Sequence, residues 1–463
     1  MFLASKSRYL DVAVLLGYAA GVSTIVAHHE PWADEAQAWL VARDLPFWKM
    51  LFSQMRYENS PGLWHVILWT AQHVFHAPYP TMNWIGSVLA TCGVAVLVFA
   101  APFPRLVRYL IAFSYYVSYQ YAVVARPYVM LLLFGGLAAV FYRRRQPIGF
   151  AIAIALLCGT SVHGAILAAA LSLGAVWHLA IKRDWPLERM RARYLAASGI
   201  IVLAGIMLVA IVFPPADAGG ESRFQHVEFG TLAGLLENTL VEPWIIAAIL
   251  LAGLGIFASR NHETVPFVAG VGGVLAFEWL VYSLPQHMGA VVIALIVTLW
   301  IAWPKDNHWR PEHVMASLGL VVLFSIQTFW AAEAWRNDFS QPYSGSKDAA
   351  EYLRKVGADH ARIFGFCYPM VAIQAYFNHS IFQNWPTSYL HDSKAEEENV
   401  CILDGKTTYD FVVTSVLHGD EDPYGGEIQK RGYMPIHVSP GRAFFRQGIW
   451  ITETFVIYRR VIQ

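Results

Sequence analysis

Long apolar runs dominate this sequence and leave few folds open to it. A run of about 17–25 apolar residues is long enough to cross a bilayer as an α-helix. Such candidates lie near residues 10–27, 82–101, 106–122, 128–142, 148–163, 165–181, 195–213, 244–259, 264–284, 288–303 and 313–332. The chain is 56% hydrophobic and 14% charged, whereas a soluble domain is roughly 25% charged. We therefore predict a polytopic α-helical membrane protein with about eleven transmembrane helices.

The apolar stretch 61–76 differs from these runs because it carries three histidines and a glutamine. We interpret it as a juxtamembrane helix on the outer membrane surface. With that assignment and a cytoplasmic N-terminus, the inner loops hold fifteen Lys and Arg residues and the outer loops hold five. This asymmetry follows the positive-inside rule. The predicted location is the cell inner (plasma) membrane, with large outer loops at 28–81 and 214–243.

The composition of the sequence changes after residue 332, where the apolar runs become shorter and polar residues become more frequent. We predict a membrane module over 1–332 and a small C-terminal α/β domain over 333–463, on the periplasmic or extracytoplasmic side. A helix is expected over 346–356, and strands over 362–367, 410–416 and 455–458. Cys367 and Cys401 are predicted to lie close enough to bridge, with two unrelated free thiols as the alternative.

The first outer loop carries two adjacent carboxylates, Asp34 and Glu35, directly after the first span. One interpretation is structural: Asp34 caps a helix, with Gln37 as its reciprocal partner. The other is catalytic, and the two are compatible because a cap also holds a catalytic carboxylate in place. Together with His28 and His29 these carboxylates could hold a metal ion, but adjacent residues rarely share one, and we predict neither a metal nor a cofactor.

Further polar residues cluster on the same predicted face of the membrane. Each has an ordinary structural explanation, such as a solvated anion or an interfacial anchor. An arginine beside a span is costly unless it binds an anion or reaches the interface. We predict that these residues contribute to substrate binding: Glu58, Tyr119, Arg126, Tyr128, His163, Arg223 and His287.

This series of motifs resembles the glycosyltransferase C superfamily, specifically bacterial relatives of protein O-mannosyltransferases and lipid A aminoarabinose transferases. The Asp-Glu motif of the first loop is matched by Asp34-Glu35, and a downstream motif, often His-Pro-Pro-Leu, is matched loosely by residues 59–63. The Arg-x-Tyr-like junction resembles residues 125–128, and a Thr-His motif is approximated by residues 161–163. The resemblance covers roughly residues 28–165, and residues 282–289 match more weakly.

The resemblance implies a membrane glycosyltransferase that takes a sugar from a polyprenyl-phosphate carrier by direct inverting displacement. Its acceptor would be a hydroxyl of a lipid, glycan or protein. In this interpretation Asp34 is the base, Glu35 its supporting carboxylate, and Arg126 the phosphate ligand. Equal numbers of acidic and basic residues, 33 each, give no reason to expect nucleic acid as a partner. A polytopic transporter and a non-catalytic envelope assembly protein remain the alternatives.

Overall fold

The computed structural model describes residues 2–183, 185, 187–218, 229–281, 283–304, 310–391, 400–403, 407–416, 421–446 and 449–461. Helices account for most of this part of the chain up to Ser340. They are α1 (Phe2–Val26), α2 (Ala33–Asp44), α3 (Phe47–Phe52), α4 (Leu63–His73), α5 (Thr81–Ala100), α6 (Arg105–Ala112), α7 (Val129–Arg143), α8 (Pro147–Cys158), α9 (Val162–Val176), α10 (Leu187–Val212), α11 (Phe229–Thr239), α12 (Trp244–Arg260), α13 (Thr264–Phe267), α14 (Gly273–Leu280), α15 (Pro285–Ala302) and α16 (Pro311–Ser340).

Six helical segments within the described residues are long and apolar enough to cross a membrane, and a bent pair formed by α11 and α12 makes a seventh if it counts as one span. Shorter apolar helices lie at Val129–Arg143, Pro147–Cys158 and Thr264–Leu280. A helix therefore accompanies each predicted apolar run. A polytopic helical membrane fold is confirmed, and the number eleven stays a prediction.

The predicted span 106–122 is not one regular helix. The α-helix ends at Ala112 and is followed by a π-helical turn over Tyr116–Gln120. The Ser114 hydroxyl donates to the carbonyl of Ile111 at 2.7 Å, and the Ser118 hydroxyl donates to that of Ser114 at 3.0 Å. Such side-chain bonds compete with the backbone ladder, which explains the break.

The stretch predicted as a surface helix contains α4, whose 11 residues extend about 16 Å. That is well short of a hydrocarbon core of about 30 Å. α4 packs against α2, and its Trp64 and Leu68 are fully buried. Gly62 precedes it at φ +88°, where a Cβ would approach Leu51 to 2.8 Å, so both the backbone conformation and the space require glycine.

Among the described residues after Ser340, the chain forms a mixed sheet, a separate hairpin and three α-helices. The helices are α17 (Ser346–Lys355), α18 (Met370–Gln374) and α19 (Gly425–Lys430). The strands are β1 (Ile363–Gly365), β2 (Phe411–Val416), β3 (Tyr433–Ser439), β4 (Arg442–Arg446), β5 (Ile449–Thr452) and β6 (Thr454–Arg460). One sheet has the order β1-β2-β6-β3, with β1 and β2 parallel and the other pairs antiparallel, while β4 and β5 form a separate hairpin.

The predicted boundary after residue 332 lies inside α16, which continues to Ser340. The helix and the three strands predicted beyond it are present, and β3, β4 and β5 were not predicted. Cys367 and Cys401 form a disulfide with their Cα atoms 4.7 Å apart, which confirms the predicted pair. The division into two domains stays a prediction.

The hairpin of β4 and β5 joins the C-terminal segment to the membrane helices. Arg446, 7% exposed, donates to Asn238 at 2.6 Å and to Glu242 at 2.5 Å. Its guanidinium also lies 4.6 Å from the centre of the Trp330 ring. A charge buried to this degree persists only when it is paired, so this contact anchors the segment after Ser340 on the helical bundle.

Candidate functional site

Two glutamates, Glu35 and Glu453, accept the backbone N–H groups at the start of α2. The side chain of Asp34 does not contribute to this cap. The N-cap is Trp32, so the expectation that Asp34 caps the helix is wrong. Glu35 accepts the backbone N–H of Trp32 at 3.2 Å, and Glu453 accepts that of Ala33 at 3.0 Å. Since these two carboxyl groups accept from the first backbone donors of α2, the side chain of Asp34 is not needed as a cap.

Glu35 lies at the centre of a buried hydrogen-bond network. One oxygen accepts from the His29 ring at 3.1 Å and from the Trp32 N–H. The other accepts from the Asn83 amide at 2.7 Å and from the Ala125 N–H at 2.6 Å. Glu35 is fully buried, so it does not present an oxygen to a substrate. It fixes the backbone beside Arg126 relative to α2.

His29 extends this network to α16. Its ring lies 2.8 Å from a carboxylate oxygen of Asp338 and 3.1 Å from Glu35. Burial lowers the pKa of His29, but the carboxylates of Asp338 and Glu35 outweigh burial and raise it to about 10. A histidinium between two carboxylates is thus the expected state. Among the described residues, no group of three or more His, Cys, Asp or Glu side chains is arranged so that it could hold a metal ion.

Asp34 and Arg126 meet directly at the edge of this buried network. The Asp34 Oδ2 atom lies 2.5 Å from an Arg126 guanidinium nitrogen, and their side chains are 20% and 18% exposed. The other Asp34 oxygen accepts the hydroxyl of Tyr368 at 3.0 Å. Tyr368 follows the bridged Cys367, so a disulfide-linked part of the C-terminal segment contacts the proposed base. The sequence carried no signal for this contact.

Glu58 approaches the same pair from the second outer-loop motif. One of its oxygens accepts from the Gln37 amide at 2.8 Å and from the Gln54 amide at 3.1 Å. Burial raises the pKa of Glu58, against the opposing effects of the two amides and of Arg126, while Asp34 adds to the rise. Gln37 therefore orients Glu58 instead of completing a cap with Asp34, and the expected role of Gln37 is wrong.

A ring cluster lies beside Arg126, at the starts of α7, α9 and α15. The ring centres of Tyr128, His163 and His287 lie 5.4–5.7 Å apart in each pairing. His287 interacts electrostatically with Arg126 and His163. His163 is also paired with Glu278 at 2.6 Å. The structure thus brings together five of the predicted substrate-binding residues: Glu58, Arg126, Tyr128, His163 and His287.

Two of the predicted substrate-binding residues are not among them. Tyr119 is fully buried beside Tyr115 and interacts electrostatically with Asp338, behind the Glu35 network. The prediction that Tyr119 contacts substrate is therefore not supported, because its side chain belongs to the core. Arg223 lies outside the described residues.

The C-terminal segment forms one wall of the site through Glu453. This carboxyl is 1% exposed and accepts the N–H of Ala33, next to Asp34. Burial raises its pKa to about 8, although bonds from Ser344 and from the Ala33 backbone act in the opposite direction. Glu453 and Tyr368, both missed in the sequence, thus contact the first turn of α2 from more than 300 residues away along the chain.

Solved structures identify the fold. No protein-family model matches the chain, and neither does any curated protein. The crystal structure of ArnT from Cupriavidus metallidurans bound to undecaprenyl phosphate is similar over 98% of both chains, at 13% identity and a TM-score of 0.58. The structure of the same protein in the apo state is similar over 99% of this chain and 98% of that chain, at 13% identity and a TM-score of 0.61. The predicted resemblance is therefore confirmed at the level of the fold: this chain has the membrane fold of ArnT.

Proposed function

We propose that this protein transfers a sugar from a polyprenyl-phosphate carrier to an acceptor hydroxyl at the outer face of the inner membrane. The observation that carries the proposal is the partly exposed Asp34–Arg126 pair, which joins a base and a phosphate ligand in a fold shared with ArnT. In support, ArnT is known bound to undecaprenyl phosphate. The proposal includes a cytoplasmic N-terminus and an external C-terminal domain, as the basic asymmetry predicts.

The reaction assigns a distinct task to each member of the pair. The bond between the anomeric carbon and a phosphate oxygen breaks, and a bond from the acceptor oxygen forms on the opposite face. Asp34 takes the acceptor proton as the general base, and the carrier leaves as a phosphate monoester. Arg126 donates to that phosphate and stabilises the charge that develops on it. This is an inverting displacement without a covalent sugar–enzyme intermediate.

The contact between Asp34 and Arg126 gives the carrier a way to activate the base. In the free protein the Asp34 carboxylate lies 2.5 Å from the Arg126 guanidinium, so this ion pair occupies one of its oxygens. A carrier phosphate competes with Asp34 for the donors of Arg126. Carrier binding therefore loosens the ion pair and frees an Asp34 oxygen to take the proton of the acceptor hydroxyl.

The surrounding residues hold this arrangement in place. Tyr368 orients one oxygen of Asp34 and Glu35 fixes the backbone beside Arg126, so both are positioning residues. Glu58 lies close enough to influence both members of the pair and can contact the polar face of the sugar. His287 lies close enough to Arg126 to interact with it electrostatically, and together with Tyr128 and His163 it can contact the carrier headgroup.

The test is transfer by the purified full-length protein in detergent. Radiolabelled polyprenyl-phosphate sugars are offered with envelope extracts, and the labelled product is separated into lipid, glycan and protein fractions. Transfer is expected for the parent protein and for Arg362→Ala, which removes an exposed arginine 3.8 Å from Asp410. It should be lost in Arg126→Ala. Carrier binding without transfer from any sugar donor would overturn the enzyme assignment and favour a transporter or an assembly protein.

A further inference from the structure

A cavity lies at the end of the helical bundle opposite Asp34. It has a volume of about 230 Å³ and is formed where α7 and α9 end and where α8 and α10 begin. α7 starts three residues after Arg126 and rises about 22 Å over its 15 residues before it reaches this level. The cavity is therefore separate from the proposed active site. Aromatic and aliphatic side chains form its walls, among them Phe141, Tyr142, Phe150, Trp185, Tyr194 and Ile201.

The cavity is continuous with the surface that faces lipid. Val176 and Val202 belong to its lining and are 56% and 60% exposed. Exposed apolar side chains on membrane helices face the acyl chains of the bilayer. An acyl chain can therefore enter from the side, and the aromatic walls provide an apolar surface for it.

One polar group in this apolar cavity points to the headgroup of a ligand. Tyr194 is only 8% exposed, and within the described part of the chain its hydroxyl has no hydrogen-bond partner. Buried hydroxyls nearly always have a partner, so an unpartnered one in a cavity indicates a ligand that supplies an acceptor. Arg145 interacts electrostatically with Tyr194, which favours an acceptor that is negatively charged.

The rim of the cavity is basic. Arg144 and Arg145 follow the end of α7 directly, and Lys182 and Arg183 follow the lining residue Leu179 by one turn. All four cations are exposed. Basic groups at the mouth of a cavity between membrane helices are typical of sites for acidic lipid headgroups.

We propose that this cavity binds one anionic phospholipid of the leaflet opposite the active site. An acyl chain occupies the aromatic cavity, and a phosphate oxygen accepts the hydrogen bond of the Tyr194 hydroxyl. Arg145 and the other rim cations neutralise the headgroup. The site connects the ends of four helices, so the bound lipid fastens α10 to the rest of the bundle. The inference is independent of the proposed glycosyl transfer.

The test counts lipids on the purified full-length protein by native mass spectrometry. Phosphatidylglycerol and phosphatidylcholine with identical acyl chains are offered at equal concentrations, and one phosphatidylglycerol molecule is expected to be retained preferentially. Tyr194→Phe and Arg145→Gln should each weaken its retention about fivefold or more. Tyr9→Phe and Arg8→Gln remove the same groups from exposed positions on α1 and should leave retention unchanged.

Several outcomes would overturn the proposal. Equal retention of the two phospholipids would remove the role of the basic rim. Unchanged retention of phosphatidylglycerol in Tyr194→Phe would show that the hydroxyl does not bind the headgroup, and this variant keeps the ring that packs in the cavity. Displacement of phosphatidylglycerol by undecaprenyl phosphate at equal concentration would reassign the cavity to the carrier lipid.

Discussion

Replacing Asp34 by asparagine should tighten the binding of the carrier phosphate, although Asp34 is itself a site residue. The Asp34 carboxylate lies 2.5 Å from Arg126, and a phosphate bound to the same guanidinium would lie roughly 5–6 Å from that carboxylate. At an effective dielectric constant of about 20, two like charges at this distance repel by about 3 kcal/mol. Both side chains are about one-fifth exposed, and solvent screening lowers the repulsion to about 1–2 kcal/mol. The expected gain in affinity is about 5- to 30-fold.

The assay is equilibrium binding of undecaprenyl phosphate to the purified protein in detergent. Asp217→Asn is the matched control, because it removes the same charge from an exposed carboxylate that contacts Tyr57 instead of Arg126, and its affinity should equal that of the parent. Arg126→Ala should bind about tenfold more weakly or worse. Equal or weaker binding by Asp34→Asn, in protein that melts near the parent temperature, would refute the competition for Arg126.

Further predictions concern the residues that support the pair. Glu35→Gln should lower the free energy of unfolding by about 1.5–3 kcal/mol in thermal melts, because it removes one of the two carboxylates that pair with His29 and the charged acceptor of the backbone N–H groups of Trp32 and Ala125; a melt like that of the parent would contradict this role. Tyr368→Phe should reduce turnover about 5- to 10-fold while carrier affinity stays unchanged, since it removes one hydrogen bond that orients Asp34; an affinity loss with normal turnover would place Tyr368 at the carrier instead. The folded protein keeps a proton on Glu453 up to about pH 8, whereas the ordinary pKa is 4.5, so Glu453 makes stability fall as pH rises between these values. Glu453→Gln should flatten that slope in melts across this range, and an unchanged slope would show that Glu453 is not its source.

The sequence was sufficient to predict the membrane class and several of the residues that the fold brings together around Asp34 and Arg126. The length of an apolar run and the distribution of Lys and Arg between loops are set by the bilayer. Both can be read from each segment of the sequence separately, without knowledge of tertiary contacts. The motifs around Asp34, Glu58 and Arg126 come from loops predicted to lie on one side of the membrane, and the fold brings these loops together. The break after Ala112 was missed because serine hydroxyls, and not apolar content, decide where that helix ends.

The sequence alone does not distinguish the role of Asp34 from that of Glu35. Consecutive residues on a helix point about 100° apart, so one of two adjacent carboxylates faces inwards, but their order along the chain does not say which. The structure shows that Glu35 is enclosed and that Asp34 reaches the surface. The contacts of Tyr368 and Glu453 with the start of α2 depend on tertiary packing across more than 300 residues, and no local pattern encodes such contacts.

The most direct test of the account is the single-turnover rate of sugar transfer by Asp34→Asn protein saturated with polyprenyl-phosphate sugar. Saturation removes any effect of the substitution on carrier binding, so the rate reports the chemical step alone. If Asp34 is the general base, the rate falls by about two to four orders of magnitude below that of the parent. A rate within a few-fold of the parent would contradict the assignment of Asp34 as the base.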